Sequence, residues 1–144
     1  MKLFSILKSG NPEREALKEN LADLFNKIQS GWGRRDFASI APLLTPEMSI
    51  RYEREIGRLR AESKTNRIEK IAIQSIDIER IWKENGSDFV AAAITGELLD
   101  YIQDDRTGAI ESGSSRVPVS FCERWTFCGL MGSGTWTLCS IQKV

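Results

Sequence analysis

The chain has 144 residues, of which 41% are hydrophobic and 28% are charged, and its acidic and basic residues balance to a formal net charge of zero. This composition fits one domain with a buried core, and the neutral balance argues against a nucleic-acid partner. The sequence contains no histidine, which excludes Ser-His-Asp and Cys-His nucleophilic systems and histidine-based metal sites.

The three cysteines, Cys122, Cys128 and Cys139, follow no metal-binding spacing, and an odd number cannot pair completely. Cys122 and Cys128 stand six residues apart on one predicted strand, which separates them by roughly 20 Å. Because that separation is too large for a disulfide, we expect thiols in a reducing compartment. Neither a metal nor a cofactor is predicted, and no apolar run reaches the roughly 18 residues that a membrane-spanning helix needs.

Residues 1–11 are predicted to form an N-terminal segment before a single domain at residues 12–144. The segment combines basic and apolar side chains, among them Lys2, Phe4, Leu7 and Lys8. Two interpretations stay open: a short interfacial helix that contacts a membrane or a partner protein, or a frayed or docked terminus. Because one short apolar segment gives marginal, reversible binding, we expect weak membrane binding at physiological salt.

Three helices are predicted to follow the N-terminal segment. Asn11 before a proline is typical of a helix start, and this first helix is predicted to end near Gly31. Asp36 favours the cap of a short second helix, and Thr45 before a proline marks the start of the third. The apolar stripe of the first helix holds Leu17, Leu21, Leu24, Phe25 and Ile28. That of the third helix holds Met48, Tyr52, Ile56 and Leu59.

Arg51, Arg54 and Arg58 recur at spacings of three and four residues on the third helix. One interpretation is a membrane or partner surface that meets phospholipid headgroups. The other is a solvated face with ion pairs four residues apart. The second interpretation predicts the pairs Glu47–Arg51, Arg51–Glu55 and Arg58–Glu62.

Alternating apolar residues predict a first strand whose phase slips at Gln74–Ser75, which suggests a β-bulge. Asn85–Gly86 is the strongest hairpin signal in the chain and predicts that Trp82 pairs with Phe89. The stretch at 103–115 is acidic and rich in glycine and serine, so we expect a mobile loop there. With two further strands near the end of the chain, the pattern predicts an α+β fold. Its three N-terminal helices would pack on a bent four-stranded antiparallel sheet.

One face of the predicted third strand is apolar and aromatic, because its large side chains fall on alternate positions. These residues are Val117, Val119, Phe121, Trp125 and Phe127. Glu123 stands in the middle of that face, where a carboxylate must be desolvated, paired or placed at a pocket. The register expected with the last strand pairs Phe127 with Trp136 and Glu123 with Ser140.

Several motifs occur in an order that resembles a known family. They are Gly-Trp-Gly-Arg-Arg-Asp-Phe at 31–37, Leu-Leu-Thr-Pro-Glu-Met at 43–48, Phe121-x-Glu123-x-Trp125-Thr126-Phe127, and Trp136-x-Leu138-x-x-Ile141-Gln142. In this order they resemble the C-terminal domain of the 44-kDa subunit of the mitochondrial inner-membrane translocase, and bacterial relatives of that domain. The resemblance covers most of the chain, from about residue 17 to residue 142.

The resemblance implies a cone-shaped fold of the nuclear-transport-factor-2 type with a deep apolar pocket. It also implies peripheral attachment to a membrane or a membrane complex, on the cytoplasmic or matrix side of an inner membrane.

Glu123 is the candidate polar anchor of such a pocket, because recognition in an apolar cavity needs a few placed polar groups. The expected lining is Phe121, Trp125, Phe127 and Trp136, with hydroxyl groups from Tyr52 and Tyr101. The other interpretation is a structural carboxylate that is held by an arginine or by hydroxyls such as that of Ser140.

Three functions follow from these features. We expect a non-enzymatic binding or scaffold module for a protein partner or an apolar ligand, peripheral to a membrane protein-transport or assembly complex. The first alternative is an isomerase or dehydratase that uses Glu123 as its base, which requires a second polar group opposite it. The second alternative is a scaffold that forms a homodimer through an exposed sheet face.

Overall fold

The computed structural model describes residues 10–144, so the predicted surface residues Lys2, Phe4, Leu7 and Lys8 lie outside the described residues. Within residues 10–144, three α-helices and one 3₁₀ turn precede five strands. The helical elements are α1 (Pro12–Gly33), α2 (Phe37–Ile40), the 3₁₀ turn (Ala41–Leu43) and α3 (Pro46–Ala61). The strands are β1 (Lys64–Glu84), β2 (Ser87–Asp104), β3 (Ile110–Gly113), β4 (Val119–Gly129) and β5 (Trp136–Lys143).

The predicted helix caps are confirmed. The Asn11 side chain accepts hydrogen bonds from the backbone N–H groups of Glu13 (2.7 Å) and Arg14 (3.3 Å). Asp36 caps α2, and Thr45 caps α3. These side chains satisfy amide groups that have no partner within the helix.

The first helix ends two residues later than the predicted Gly31, because α1 runs on to Gly33. Gly31 is buried inside the helix, and a Cβ added there would overlap the Ile40 side chain. Glycine at this position is therefore a packing requirement, which lets α2 lie directly on the last turn of α1.

The sheet is antiparallel, with the order β1-β2-β4-β5, and β3 also pairs with β2. The prediction of four strands and of a loop throughout 103–115 is wrong, because β3 lies within that stretch. The turn before β3 is built by Asp104, whose carboxylate accepts hydrogen bonds from the N–H groups of Arg106 (2.8 Å) and Thr107 (3.0 Å). The side chains of β3 are exposed and mostly polar, so no apolar periodicity reveals this strand.

The first hairpin agrees with the sequence. Trp82 pairs with Phe89 across the Asn85–Gly86 turn, and the register shifts between Ile73 and Ser75, at the predicted bulge. The same strand pair shifts twice more, between residues 69 and 72 and between residues 78 and 80. Bulges bend a strand and increase its twist, so β1 is expected to curve along its length.

The predicted register of the last two strands is wrong by two residues at Phe127 and by three at Glu123. Phe127 pairs with Leu138, while Glu123 pairs with Lys143. The register shifts once between Thr126 and Phe127. This irregularity lets both Leu138 and Ile141 face the same side of the sheet, which a regular ladder would prevent.

The core lies between the helices and one face of the sheet, and its centre is aromatic. The ring of Phe25 in α1 lies 4.5 Å from the Trp125 ring and 5.4 Å from the Phe121 ring, measured between centroids. Trp125 is 1% exposed and Phe25 is fully buried. Among the described residues, no helix is long and apolar enough to cross a membrane.

Asp88 fixes the connection between β4 and β5. It is 4% exposed, accepts a hydrogen bond from the Met131 N–H (2.8 Å) and forms an ion pair with Lys83 (2.7 Å). These two contacts, first the one with Lys83, hold the pKa of the Asp88 carboxyl below its usual range. Its stabilising effect is therefore present above the unfolded-state pKa of about 3.9 and is lost as the pH falls through the lower folded pKa.

We predict that Asp88→Asn, which keeps the shape but removes the charge, lowers the free energy of unfolding by about 1–3 kcal/mol at pH 6. The loss should shrink as the pH is lowered from 6 towards 2, because the wild-type carboxyl becomes protonated as the pH falls through its folded pKa. Urea denaturation at both pH values measures this, with the exposed Asp77→Asn as the matched control. An equal loss at both pH values would contradict the assigned role of the charge.

Candidate functional site

Two adjacent pockets lie where the end of α1 meets the sheet, and α3 borders the smaller of them. The smaller pocket has a volume of about 220 Å³ and is lined by Gln29, Trp32, Arg51, Tyr52, Glu55, Glu123, Trp125 and Ile141. The larger pocket has a volume of about 420 Å³, and its lining includes Ile68, Leu98, Asp100, Val119, Phe121 and Lys143. Gln29, Trp32 and Glu123 belong to the walls of both pockets, so these three side chains separate them.

Glu123 lies on the helix-facing side of β4, two residues before the buried Trp125. Its carboxylate accepts a hydrogen bond from the Trp125 indole Nε1–H at 3.2 Å. The carboxylate is partly buried and therefore only partly hydrated, and this hydrogen bond replaces some of the lost hydration. Ser140, which sequence reasoning placed opposite it, pairs instead with Thr126.

Tyr52 projects from α3 into the smaller pocket. Its ring meets the Trp32 ring edge-on, with centroids 5.7 Å apart and an angle of 65°. Burial raises the pKa of the Tyr52 hydroxyl strongly, and the nearby Glu123 carboxylate raises it further, against a smaller lowering by Arg51. Tyr52 is therefore a neutral hydroxyl at physiological pH, with a proton to donate.

A hydrogen-bonded chain forms the polar wall of the larger pocket. The Trp32 indole Nε1–H donates to Asn66 Oδ1 (2.9 Å). The Asn66 amide in turn donates to Asp100 Oδ1 (2.7 Å) and to the backbone carbonyl of Tyr101 (3.3 Å). This chain ties the end of α1 to β1 and β2, and it fixes the Trp32 ring between the two pockets.

The three arginines of α3 are placed differently from one another. Arg58 forms ion pairs with Glu55 (3.1 Å) and with Glu62 (2.7 Å), which confirms the predicted Arg58–Glu62 pair. The predicted pairs of Arg51 with Glu47 and Glu55 are wrong, since residues 10–144 contain no ion pair of Arg51. Arg51 instead borders the smaller pocket, and Arg54 is exposed.

The other residues expected in the pocket are distributed over the molecule. Phe121 lines the larger pocket, and Phe127 is buried in the core. Trp136 borders a separate pocket beside the first turns of α1. Tyr101 borders neither of the two pockets. Its hydroxyl donates a hydrogen bond to Glu69 Oε1 at 2.7 Å. Glu123, Trp125 and Tyr52 are therefore the predicted residues that meet in the smaller pocket.

Sequence reasoning did not assign Gln29 and Trp32 to the pocket. They stand three residues apart near the end of α1 and so lie on one face of that helix. Their position at the edge of the apolar stripe of α1, together with their polar groups, could have indicated that they line a pocket. No cluster of three or more Cys, Asp or Glu side chains that could hold a metal ion occurs in the described part of the chain.

A solved structure shares this fold. The intermembrane space region of the chloroplast protein ARC6 is similar in structure, with a TM-score of 0.57 and 11% identity over 89% of this chain and 94% of that one. RPA3114, a SEC-C motif containing protein from Rhodopseudomonas palustris, aligns over 94% of both chains with a TM-score of 0.39 and 14% identity. No curated protein matches the sequence.

The family comparison covers nearly all of the chain. The model of the Tim44-like domain matches residues 13–143, a range that includes α1 and both aromatic strands. The motifs noted in the sequence all lie within it. The chain therefore belongs to the family of Tim44-like domains.

Proposed function

We propose that this domain is a non-enzymatic binding module that holds an apolar segment of a partner protein, or a free apolar ligand, in the two adjacent pockets. The partner would belong to a protein-transport or assembly complex at the surface of an inner membrane, on its cytoplasmic or matrix side. In this proposal the helices and the bent sheet form the cone of nuclear-transport-factor-2-like domains, and the pockets lie at its open end.

The observation that carries the proposal is that apolar side chains and polar groups in fixed positions line the same pockets. Ile68, Leu98 and Phe121 supply apolar surface in the larger pocket, and Trp125 and Ile141 supply it in the smaller one. Sites for small molecules and peptides combine such walls with a few polar groups that orient the ligand. Glu123 and the Tyr52 hydroxyl are available for that purpose.

An isomerase or dehydratase is a second candidate, favoured by the Tyr52 hydroxyl, which could act as the second polar group beside Glu123. Tyr52 and Glu123 line the same pocket and interact electrostatically. Naphthols resemble the dienolate intermediates of such reactions, and analogues of this kind bind more tightly than substrates. Naphthol binding that is lost in Tyr52→Phe, which removes the hydroxyl donor, but kept or strengthened in Glu123→Gln, which mimics the protonated base, would favour an enzyme over the binding module.

A self-associating scaffold is a third candidate, favoured by the aromatic surface on the other face of the sheet. There the Trp82 and Phe89 rings stack with centroids 5.3 Å apart, and the Arg80 guanidinium lies 4.4 Å from the centre of the Trp82 ring. If this face forms a homodimer, sedimentation velocity should show a larger species at high concentration that Trp82→Glu abolishes. A monomer at all concentrations would exclude this candidate.

We predict that Val119→Trp, which fills the larger pocket from its exposed edge, weakens binding of an apolar probe at least tenfold. Val119 is 45% exposed and lines that pocket, so a larger side chain there can be accepted without unfolding the domain. An octyl glucoside titration below its micelle concentration, followed by the fluorescence of the tryptophans, measures the affinity.

Val117→Trp is the matched control, because Val117 is 66% exposed and lines neither of the two pockets. It should bind the probe as the wild type does. Equal affinity of both variants and the wild type, or no binding by any of them, would contradict the proposed function.

A further inference from the structure

We propose that the smaller pocket binds an organic ammonium group, held between aromatic rings and the Glu123 carboxylate. This inference rests on the proposed function, because it names the chemical group that the binding module recognises. The group could belong to a lysine side chain of a partner segment or to a free amine, and the two sources share the same chemistry at this site.

Two partly exposed aromatic side chains, Trp32 and Tyr52, provide the aromatic walls of the smaller pocket, and the buried Trp125 lies behind them. The ring of a tryptophan or tyrosine attracts a cation placed over its face, most strongly where water is excluded. The rings are fixed, since Trp32 is tied to Asn66 (2.9 Å) and Trp125 packs on Phe25 (4.5 Å). A cavity with rigid aromatic walls binds a cation without first ordering its side chains.

Glu123 supplies the negative charge. Within residues 10–144 it takes part in no ion pair, and its hydrogen-bond partner is the indole of Trp125. The other carboxylate of the pocket, Glu55, already forms an ion pair with Arg58 at 3.1 Å. A partly buried carboxylate without a cation is unfavourable compared with a paired one, so an ammonium group that enters the pocket gains the charge interaction of Glu123.

Two cations of the protein face the same carboxylate. Arg51 borders the smaller pocket, and Lys143 pairs with Glu123 across the strands β4 and β5 and is exposed. Both lower the affinity of a cationic ligand by repulsion. Arg51 should have the larger effect, because it lines the smaller pocket itself, whereas Lys143 lines the larger one.

The size of the cavity fits a small alkylammonium. A volume of about 220 Å³ equals that of about seven water molecules at roughly 30 Å³ each. This is enough for an ammonium group and part of its alkyl chain. Ile141 extends the wall away from Glu123 and gives the chain an apolar surface.

The test uses n-butylammonium and the uncharged n-butanol as paired probes, followed by NMR signals of the tryptophan indole N–H groups. We expect n-butylammonium to shift the Trp32 and Trp125 signals, while Trp82 and Trp136, which line neither pocket, stay in place. The affinity should fall about tenfold in Glu123→Gln, which keeps the shape of the side chain, and rise a few-fold in Arg51→Gln. The control Glu53→Gln removes one carboxylate from the exposed side of the same helix and should change nothing.

A second arm compares a short apolar peptide that contains one lysine with the same peptide carrying norleucine instead. If the lysine peptide binds about tenfold more tightly and Glu123→Gln removes the difference, the group comes from a partner segment. If the peptides bind equally while n-butylammonium still depends on Glu123, the site takes free amines.

The inference is overturned if n-butanol and n-butylammonium bind alike, or if Glu123→Gln binds n-butylammonium as tightly as the wild type. An unchanged Trp136 signal shows that each variant is folded. These outcomes leave the proposed function standing, provided that octyl glucoside still binds and Val119→Trp still blocks it. Failure of the proposed function would be seen in a separate measurement, as an affinity for octyl glucoside that Val119→Trp does not change.

Discussion

The hydrogen bond from the Trp125 indole to the Glu123 carboxylate joins the core of this domain to its surface. The Trp125 ring is 1% exposed and packs on Phe25 of α1 at 4.5 Å, so the position of the first helix fixes its orientation. The indole N–H must find an acceptor in this environment, and Glu123, two residues earlier on the same face, provides it at 3.2 Å. One side chain therefore stabilises the packing of helix on sheet and holds the charged group of the pocket.

The pockets exist because the sheet departs from regularity where the helices cover it. Three register shifts bend β1 along β2, and one shift between β4 and β5 turns Ile141 towards α3. Gly96 lies beneath the Phe121 ring, and a Cβ there would overlap the backbone of Ala72. These local features set the width between α1 and the strand ends. The binding surface is thus a consequence of how the sheet is bent.

Local signals in the sequence predicted the helix caps and the first turn. Contacts between residues that are far apart in the sequence could not be predicted in this way. Asn11, Thr45 and the Asn85–Gly86 turn act through their nearest neighbours, so their roles could be predicted. The connection before β5 is held by the hydrogen bond from the Met131 amide to Asp88, 43 residues away in the sequence, and no periodicity predicts this contact. Tyr101 was expected in the pocket, but its neighbour Asp100 lines the larger pocket instead. Which of the two faces of the strand is covered by helices could be known only from the folded sheet.

The charged group of the candidate site was predicted from the sequence, but most of the residues around it were not. Glu123 was recognised because a carboxylate interrupts an apolar face within one strand. Trp32 and Asn66 were not assigned, since their pairing joins α1 to β1 over 34 residues. Arg51 was expected to pair with Glu47 and Glu55, but Glu55 pairs with Arg58, which leaves Arg51 beside the pocket.

A double-mutant cycle between Trp125→Phe and Glu123→Ala tests the central claim most directly, namely that the indole holds the carboxylate. The free energies of unfolding of the wild type, both single variants and the double variant are measured by urea denaturation. If the hydrogen bond stabilises the fold, the two losses should overlap by about 1–2 kcal/mol. Losses that add within about 0.3–0.5 kcal/mol would show that Trp125 and Glu123 act independently, and would contradict the account.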